Sequence, residues 1–372
     1  MEENLNTNQE AANEQEPKSA TPTENESVDL SSKAIESAEN KTDDRAVEEE
    51  IINKTYPQEK VAVLVEKVKN ELSKAIIGQE DMLELMLAGL FTGGHVLLEG
   101  VPGIAKTLAA KLMSQSLNVD FSRIQFTPDM MPSDVIGTTV YSMKSGEFSF
   151  TKGPVFSNVV LIDEVNRAPA KTQAALFEVM EERQISVDGT TYKMKPPFFI
   201  IATQNPIEQE GTYRLPEAQL DRFLFRVKMS YPNLSEEEQI LHRFKDDFYS
   251  DKVKETIKPL MTSEEIAACK KLIEEVYIKD ELLSYIAKIV HDTRENGDLF
   301  MGASPRASLA ILKSAKAIAA FDGRNFVSPD DIRRVSVPVL NHRIILSPER
   351  EMEGVQLEHV IAEIVKKIEV PR

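Results

Sequence analysis

The chain has 372 residues, 41% hydrophobic and 6% aromatic, with 61 acidic against 44 basic side chains and a formal net charge of −17. That length implies two to three units, and the acidic balance argues against a nucleic-acid footprint as the main surface. The single cysteine, Cys269, excludes an internal disulfide and a cysteine-rich metal site; with no apolar window of about 18 residues and no secretory-type start in Met1-Glu2-Glu3-Asn4, a reducing, cytoplasmic location is expected.

Residues 1–50 carry 15 Asp/Glu and four Lys/Arg, no aromatic residue, and only Leu5, Val28, Leu30, Ile35 and Val47 as large aliphatics. So little apolar surface does not offset the entropy of ordering, and residues 1–57 are expected to form a disordered acidic tail, either a solubilising extension or an interaction tail. Val61, Leu64, Val65, Val68, Leu72 and Ile76 then recur at helical spacing and predict a helix over Glu59–Ala75, with a second over Asp81–Leu90. From Val96 to Arg226 apolar runs alternate with helical segments. The runs Val96–Leu98, Ser122–Gln125, Val159–Ile162, Phe198–Ala202 and Phe223–Val227 predict a parallel sheet covered by helices on both faces, an α/β domain over 58–232.

The first run opens into Gly100-Val101-Pro102-Gly103-Ile104-Ala105-Lys106-Thr107, with a helix continuing from Leu108. A strand, a glycine-rich turn and Lys-Thr at a helix start form the context of a phosphate-binding loop. Backbone amides and the positive helix end cradle phosphate there, Lys106 reaches the β- and γ-phosphates, and the Thr107 hydroxyl ligates Mg²⁺. Ala105 stands where the general pattern has its second glycine, a position with less conformational freedom for alanine. About 60 residues on, Val159-Val160-Leu161-Ile162 ends in Asp163-Glu164. Asp163 at the strand tip is suited to hold Mg²⁺ through water, and Glu164 to polarise the water that attacks the γ-phosphate. Together the two motifs predict ATP binding with hydrolysis.

Two polar insertions interrupt the alternation and read as hairpins, one at about 140–151 around Ser145-Gly146-Glu147, the other at about 184–194 around Asp188-Gly189. Asn205, after the run Phe198–Ala202, is placed to hold the attacking water or touch the γ-phosphate. Arg222, just before the last strand, reads as an arginine finger for a neighbouring subunit, with Arg214 and Arg167 as rivals. Beyond 233, Ser235-Glu236-Glu237-Glu238 and Thr262-Ser263-Glu264-Glu265 have capping-box form, and Ser328-Pro329-Asp330-Asp331 supplies a cap, a first-turn proline and acids. Residues 233–372 are therefore expected to be a smaller helical lid. In it Arg306 opens a helix over Ala307–Ala319, against the helix dipole, and is expected to fold over the phosphates.

Gly78-Gln79, the loop at 100–107, Asp163-Glu164, Asn205, Arg222 and Arg306 together resemble the AAA+ ATPases. The runs Leu97-Leu98-Glu99-Gly100-Val101-Pro102-Gly103, Asp163-Glu164-Val165-Asn166-Arg167-Ala168-Pro169, Ala202-Thr203-Gln204-Asn205-Pro206 and Pro216-Glu217-Ala218-Gln219-Leu220-Asp221-Arg222-Phe223 resemble the MoxR family in particular. The similarity covers about residues 59–345, and alanine before the loop lysine is common in that family. It implies a hexameric ring using Mg-ATP, Gln79 near the adenine, a helix-2 insert and a pre-sensor-1 hairpin matching the two insertions, and chaperone-like remodelling or maturation of protein clients. Proteins with von Willebrand factor A domains are among the clients the resemblance implies; docking on a membrane partner stays open. Other readings stay open on sequence alone: a nucleic-acid motor footed on Lys144, Lys152, Lys193 and Lys195, a metal-chelatase-type motor, or a slow nucleotide-gated scaffold.

Overall fold

In the computed structural model, which describes residues 57–101, 103–144, 146–206, 212–245 and 257–371, the apolar runs pair as one sheet. The expected acidic tail and Pro102 lie outside the described residues. The strands are β1 (Val96–Glu99), β2 (Phe121–Gln125), β5 (Val159–Asp163), β8 (Phe199–Gln204) and β9 (Phe225–Lys228), all parallel in the order β2-β5-β8-β1-β9. Side chains alternate between two cores. Val96, Leu98, Val159, Leu161, Phe199 and Ile201 enter one apolar cluster, while Leu97, Val160, Ile162, Ile200 and Ala202 enter the other. Coverage of both faces is why these strands read as unbroken apolar runs.

The helices that sandwich the sheet follow from the same chain order. α1 (Pro57–Ser73) and α2 (Glu80–Thr92) precede β1, α3 (Lys106–Ser116) follows it, and a short α4 (Pro132–Ile136) leads into the first hairpin, β3 (Gly137–Ser142) with β4 (Glu147–Lys152). This hairpin starts three residues earlier than expected. Gly137 sits at φ +102°, and a Cβ there would lie 2.3 Å from the Thr151 carbonyl oxygen, so the strand can begin this close to its partner only at a glycine. After β5 comes α5 (Ala170–Glu182), which runs into the second hairpin, β6 (Gln184–Val187) with β7 (Thr190–Lys193). Neither hairpin joins the main sheet. A short α6 (Glu217–Leu220) precedes β9.

The C-terminal part is helical, as its caps predict: α7 (Leu234–Phe244), α8 (Ser263–Glu274), α9 (Asp280–Glu295), α10 (Pro305–Phe321), α11 (Pro329–Leu340), α12 (Pro348–Met352) and α13 (Leu357–Lys367). Thr262 and Ser328 cap as expected. The first cap differs. Asn233, not Ser235, accepts from the Glu236 amide at 3.0 Å, because its amide side chain satisfies the first turn two residues earlier. A two-stranded ribbon, β10 (Leu299–Met301) with β11 (Ile345–Leu346), interrupts the helices. This part shares one continuous core with α1 and α2: Val61 and Leu72 join the same cluster as Ile311, Ile318, Val335 and Ile361.

A polar seam also ties the helical part to the segment entering β9. Asn341, His342 and Arg343, all buried, grip backbone groups of 221–226: Asn341 Nδ2 donates to the Arg226 carbonyl (3.0 Å), His342 Nε2 bonds the Phe223 carbonyl (3.0 Å), and Arg343 donates to the Phe223 (2.6 Å) and Leu224 (3.1 Å) carbonyls. Arg343 Nε also pairs with Asp221 at 2.7 Å. Among the described residues no helix is long and apolar enough to cross a membrane.

His95, just before β1, is buried with Nδ1 accepting from the Ile200 amide (3.0 Å) and Nε2 on the Met180 carbonyl (3.1 Å). Burial pulls its pKa down to about 4, helped by the nearby Arg183 charge. The unfolded chain therefore binds a proton on this imidazole below about pH 6.5 that the folded chain refuses until about pH 4. Stability is fully present above pH 6.5 and falls as the pH drops toward 4. We expect a loss of about 2 kcal/mol from this group between pH 7.5 and pH 5, read as a lower urea midpoint. His95→Gln should lose correspondingly less between the same two pH values.

Candidate nucleotide site

β1 ends at Glu99, and Gly100 turns the chain against β9. A Cβ on Gly100 would lie 2.6 Å from Ile104 and 3.0 Å from Met229, which fixes glycine here. The loop passes Gly103 at φ +89° and reaches Ala105 at φ +61° before α3 begins at Lys106. The expected second glycine would occupy this left-handed position; alanine adopts it at a cost of about 1 kcal/mol. α3 starts with no side-chain cap and no acid in its first turn, so its positive end and free amides face the loop. Lys106 Nζ lies against the loop, donating to the Gly100 carbonyl at 2.6 Å.

Beside the loop lies a hollow of about 410 Å³ lined by Gly103, Ala105, Lys106, Thr107, Leu108, Arg123, Gln125, Asp163, Glu164, Thr203 and Asn205. The loop residues and the acid pair thus meet as their spacing predicts. Thr107 Oγ1 donates to Asp163 Oδ2 at 3.3 Å. Thr203 holds both acids at once: its hydroxyl donates to Asp163 Oδ1 (3.1 Å) and accepts from the Glu164 amide (3.0 Å). That second bond supports Glu164 at φ +58°, a left-handed conformation that a non-glycine residue keeps only where its surroundings hold it. Three residues unnoticed in the sequence complete the cluster. Arg123 Nε pairs with Asp163 at 2.6 Å, Gln125 Nε2 donates to Glu164 Oε2 at 2.8 Å, and Thr203 makes the two bonds just given. Alternation along β2 was the available signal, since residues two apart share a face.

Other expected residues lie elsewhere. Gln79 precedes α2 and donates to the Ser230 carbonyl at 3.4 Å, beyond β9 and outside the hollow's lining. Val101 and Ile104 belong to the loop, Ile104 being buried beneath it. Arg167 pairs with Glu164 of its own chain at 2.9 Å, and Arg214 is largely exposed beside Glu217. Arg306, expected to fold over the phosphates, is not among the residues that line the hollow beside its own loop. Arg306 Nη2 pairs with Glu181 at 2.7 Å, and Arg222 Nη1 pairs with the same carboxylate at 3.1 Å. Both arginines line a separate hollow of about 260 Å³ that shares no lining residue with the first. The reason is topological. β1 and β9 are parallel, the loop leaves the C-terminal end of β1, and Arg222 enters the N-terminal end of β9.

The model of the ATPase family associated with various cellular activities (AAA) matches residues 95–225, and that of the AAA lid domain matches 291–364. Over 314 residues the chain is 43% identical to protein YeaC of Bacillus subtilis, covering 84% of this chain and 97% of that one. It is 41% identical to chaperone MoxR1 of Mycobacterium tuberculosis over 83% of this chain and 82% of the relative. A crystal structure from Cytophaga hutchinsonii superposes with a TM-score of 0.78 at 40% identity, covering 85% of this chain and 97% of its own.

Thr203→Val keeps the shape of the side chain but removes both bonds to the acid pair. We expect ATP affinity within about threefold of wild type and a turnover reduced about tenfold or more, since the water-polarising acid loses its orientation. Phosphate release alongside fluorescent-nucleotide titration checks both.

Proposed function

The chain belongs to the MoxR family of AAA+ ATPases, and from that premise we propose that it is a ring-forming, ATP-driven remodeller or maturation factor of protein clients. The roles proposed for individual residues are these. Backbone N–H groups of Gly100, Val101, Gly103, Ile104 and Ala105, which Pro102 lacks, together with Lys106 and Leu108 hold the nucleotide, with Gln79 near its base. Glu164 polarises water, Asn205 orients it, and Arg222 stabilises charge developing in a neighbouring subunit's site. Thr107 and Asp163 offer a hydroxyl and a carboxylate 3.3 Å apart, hard oxygen donors that fit Mg²⁺ with part of its water shell retained. When bound, Mg²⁺ neutralises phosphate charge.

The observation that carries the remodeller reading is the hairpin pair. Tyr141 and Phe148 face each other across β3 and β4 (ring centroids 5.0 Å apart), and Met143 and Phe148 are 93% and 74% exposed. At its base this hairpin is joined to the second one through Phe150 on Tyr192 (4.6 Å) and Thr139 Oγ1 to Asp188 (2.6 Å). The second hairpin directly follows α5, which begins three residues after the turn next to Glu164. An exposed aromatic tip suits an apolar polypeptide segment better than it suits a phosphate backbone, which demands basic side chains. Von Willebrand factor A domain proteins in the cytoplasm, or docked at a membrane, are the clients we propose.

Glu164→Gln should bind ATP and hydrolyse it at least about a hundredfold more slowly. Captured in ATP from soluble and detergent-solubilised extracts, it should enrich specific proteins over a Lys106→Ala control. Enrichment of nucleic acid instead would overturn the remodeller reading. Arg222→Ala should lose turnover by about a hundredfold or more, and regain part of it when mixed with Lys106→Ala subunits that supply an intact Arg222.

A further inference from the structure

Arg222 and Arg306 come from different parts of the chain, one before β9 and the other at the start of α10, yet they converge on one carboxylate. Glu181, in the last turn of α5, spends Oε1 on Arg306 (2.7 Å) and Oε2 on Arg222 (3.1 Å), with about 34% of its side chain exposed. The same turn of helix supplies a second grip, because Arg222 Nη1 also donates to the Phe177 carbonyl at 2.6 Å. Neighbouring anchors fix the arginine backbones: Asp221, beside Arg222, pairs with buried Arg343 (2.7 Å) and accepts from Ser304 Oγ (3.2 Å), two residues before Arg306. Without a shared anion two guanidinium groups repel one another. One carboxylate between them leaves a net positive pair lining one hollow, which suits a phosphoryl group carrying several negative oxygens.

We propose that Glu181 is the positioning residue that sets Arg222 and Arg306 side by side for the phosphate bound to a neighbouring subunit. This rests on the shared-site reading of Arg222 above. Glu181 itself touches no nucleotide. Its effect passes through the two arginines, so it governs turnover and leaves the chain's own nucleotide loop untouched.

The test uses the full chain with Glu181→Ala and Glu181→Gln. Glu181→Ala should lower kcat by about tenfold to a hundredfold, as misplaced charge-stabilising groups do, with KM for ATP, fluorescent-nucleotide affinity and thermal midpoint as in wild type. Glu181→Gln keeps an oxygen that accepts from one arginine and should fall between the two; it also carries the test if the alanine variant folds poorly. Mixed with Lys106→Ala subunits, either variant should recover, because the partner supplies an intact Glu181, Arg222 and Arg306 to its working loop. A kcat within twofold of wild type for Glu181→Ala overturns the proposal. So does a loss that Lys106→Ala fails to restore while restoring Arg222→Ala. If neither mixture recovers, the shared-site reading falls and this inference with it.

Discussion

The parallel pairing of β1 with β9 governs where chemistry can sit on this chain. Leaving the C-terminal end of β1, the backbone forms the phosphate loop; entering the N-terminal end of β9, it delivers Arg222. Strands of four residues separate these ends by about 13 Å, and the core between them is packed with buried Val96, Leu98, Phe225 and Val227. No arginine spans that distance through a filled core. One chain therefore carries two hollows at opposite ends of these strands, one beside the loop and the acid pair, the other lined by Arg222 and Arg306. Arg306 joins the second because the helical part packs against the β9 side of the sheet.

That placement depends on charges buried at the seam. Arg343 is 6% exposed and satisfies itself on Asp221 and on carbonyls of 223 and 224. Burying a guanidinium is expensive, and a pair of this kind adds little net stability over a well-packed apolar contact. Its value lies in direction. An apolar seam tolerates sliding, whereas Asn341, His342 and Arg343 match particular carbonyls at 223, 224 and 226 and so allow one register between α11 and the β9 strand. The two arginines inherit their relative position from that register. Removing one partner would strand a buried charge at a cost of about 3–5 kcal/mol.

The edge strands β2 and β9 carry polar side chains among apolar ones, whereas the central β5, β8 and β1 were legible as apolar runs because both of their faces are buried. Their ends were less so: Glu99, Asp163, Thr203 and Gln204 are polar yet still paired by backbone, and hydrogen bonding along a strand does not require an apolar side chain. The loop and the acid pair were legible since their spacing is dictated by phosphate and metal geometry. Arg123 and Gln125 were not, because on a half-exposed edge strand they look like ordinary surface residues until β5 brings Asp163 and Glu164 beside them. The surroundings of Arg306 were not legible either, because they depend on how the helical part docks, and the docking runs through Asn341, His342 and Arg343 rather than through any motif near residue 306. The ribbon of β10 and β11, with strands of three and two residues, is too short to produce a period.

α5 links these elements mechanically. It starts at Ala170, close behind the Glu164 turn, and ends at Glu182, a rod of about 20 Å. Near its far end stand Glu181 with both arginines and, immediately beyond, the second hairpin bound to the first through Phe150, Tyr192, Thr139 and Asp188. A helix resists compression, so a shift of the Glu164 turn is delivered as rotation or translation of its far end rather than absorbed along the way. Glu164 is held in a left-handed conformation by Thr203 and Gln125, and strain of that kind is released when its partners change. Glu164 thus stands just before this helix, and the arginine pair and the second hairpin, which holds the first at its base, stand at its far end.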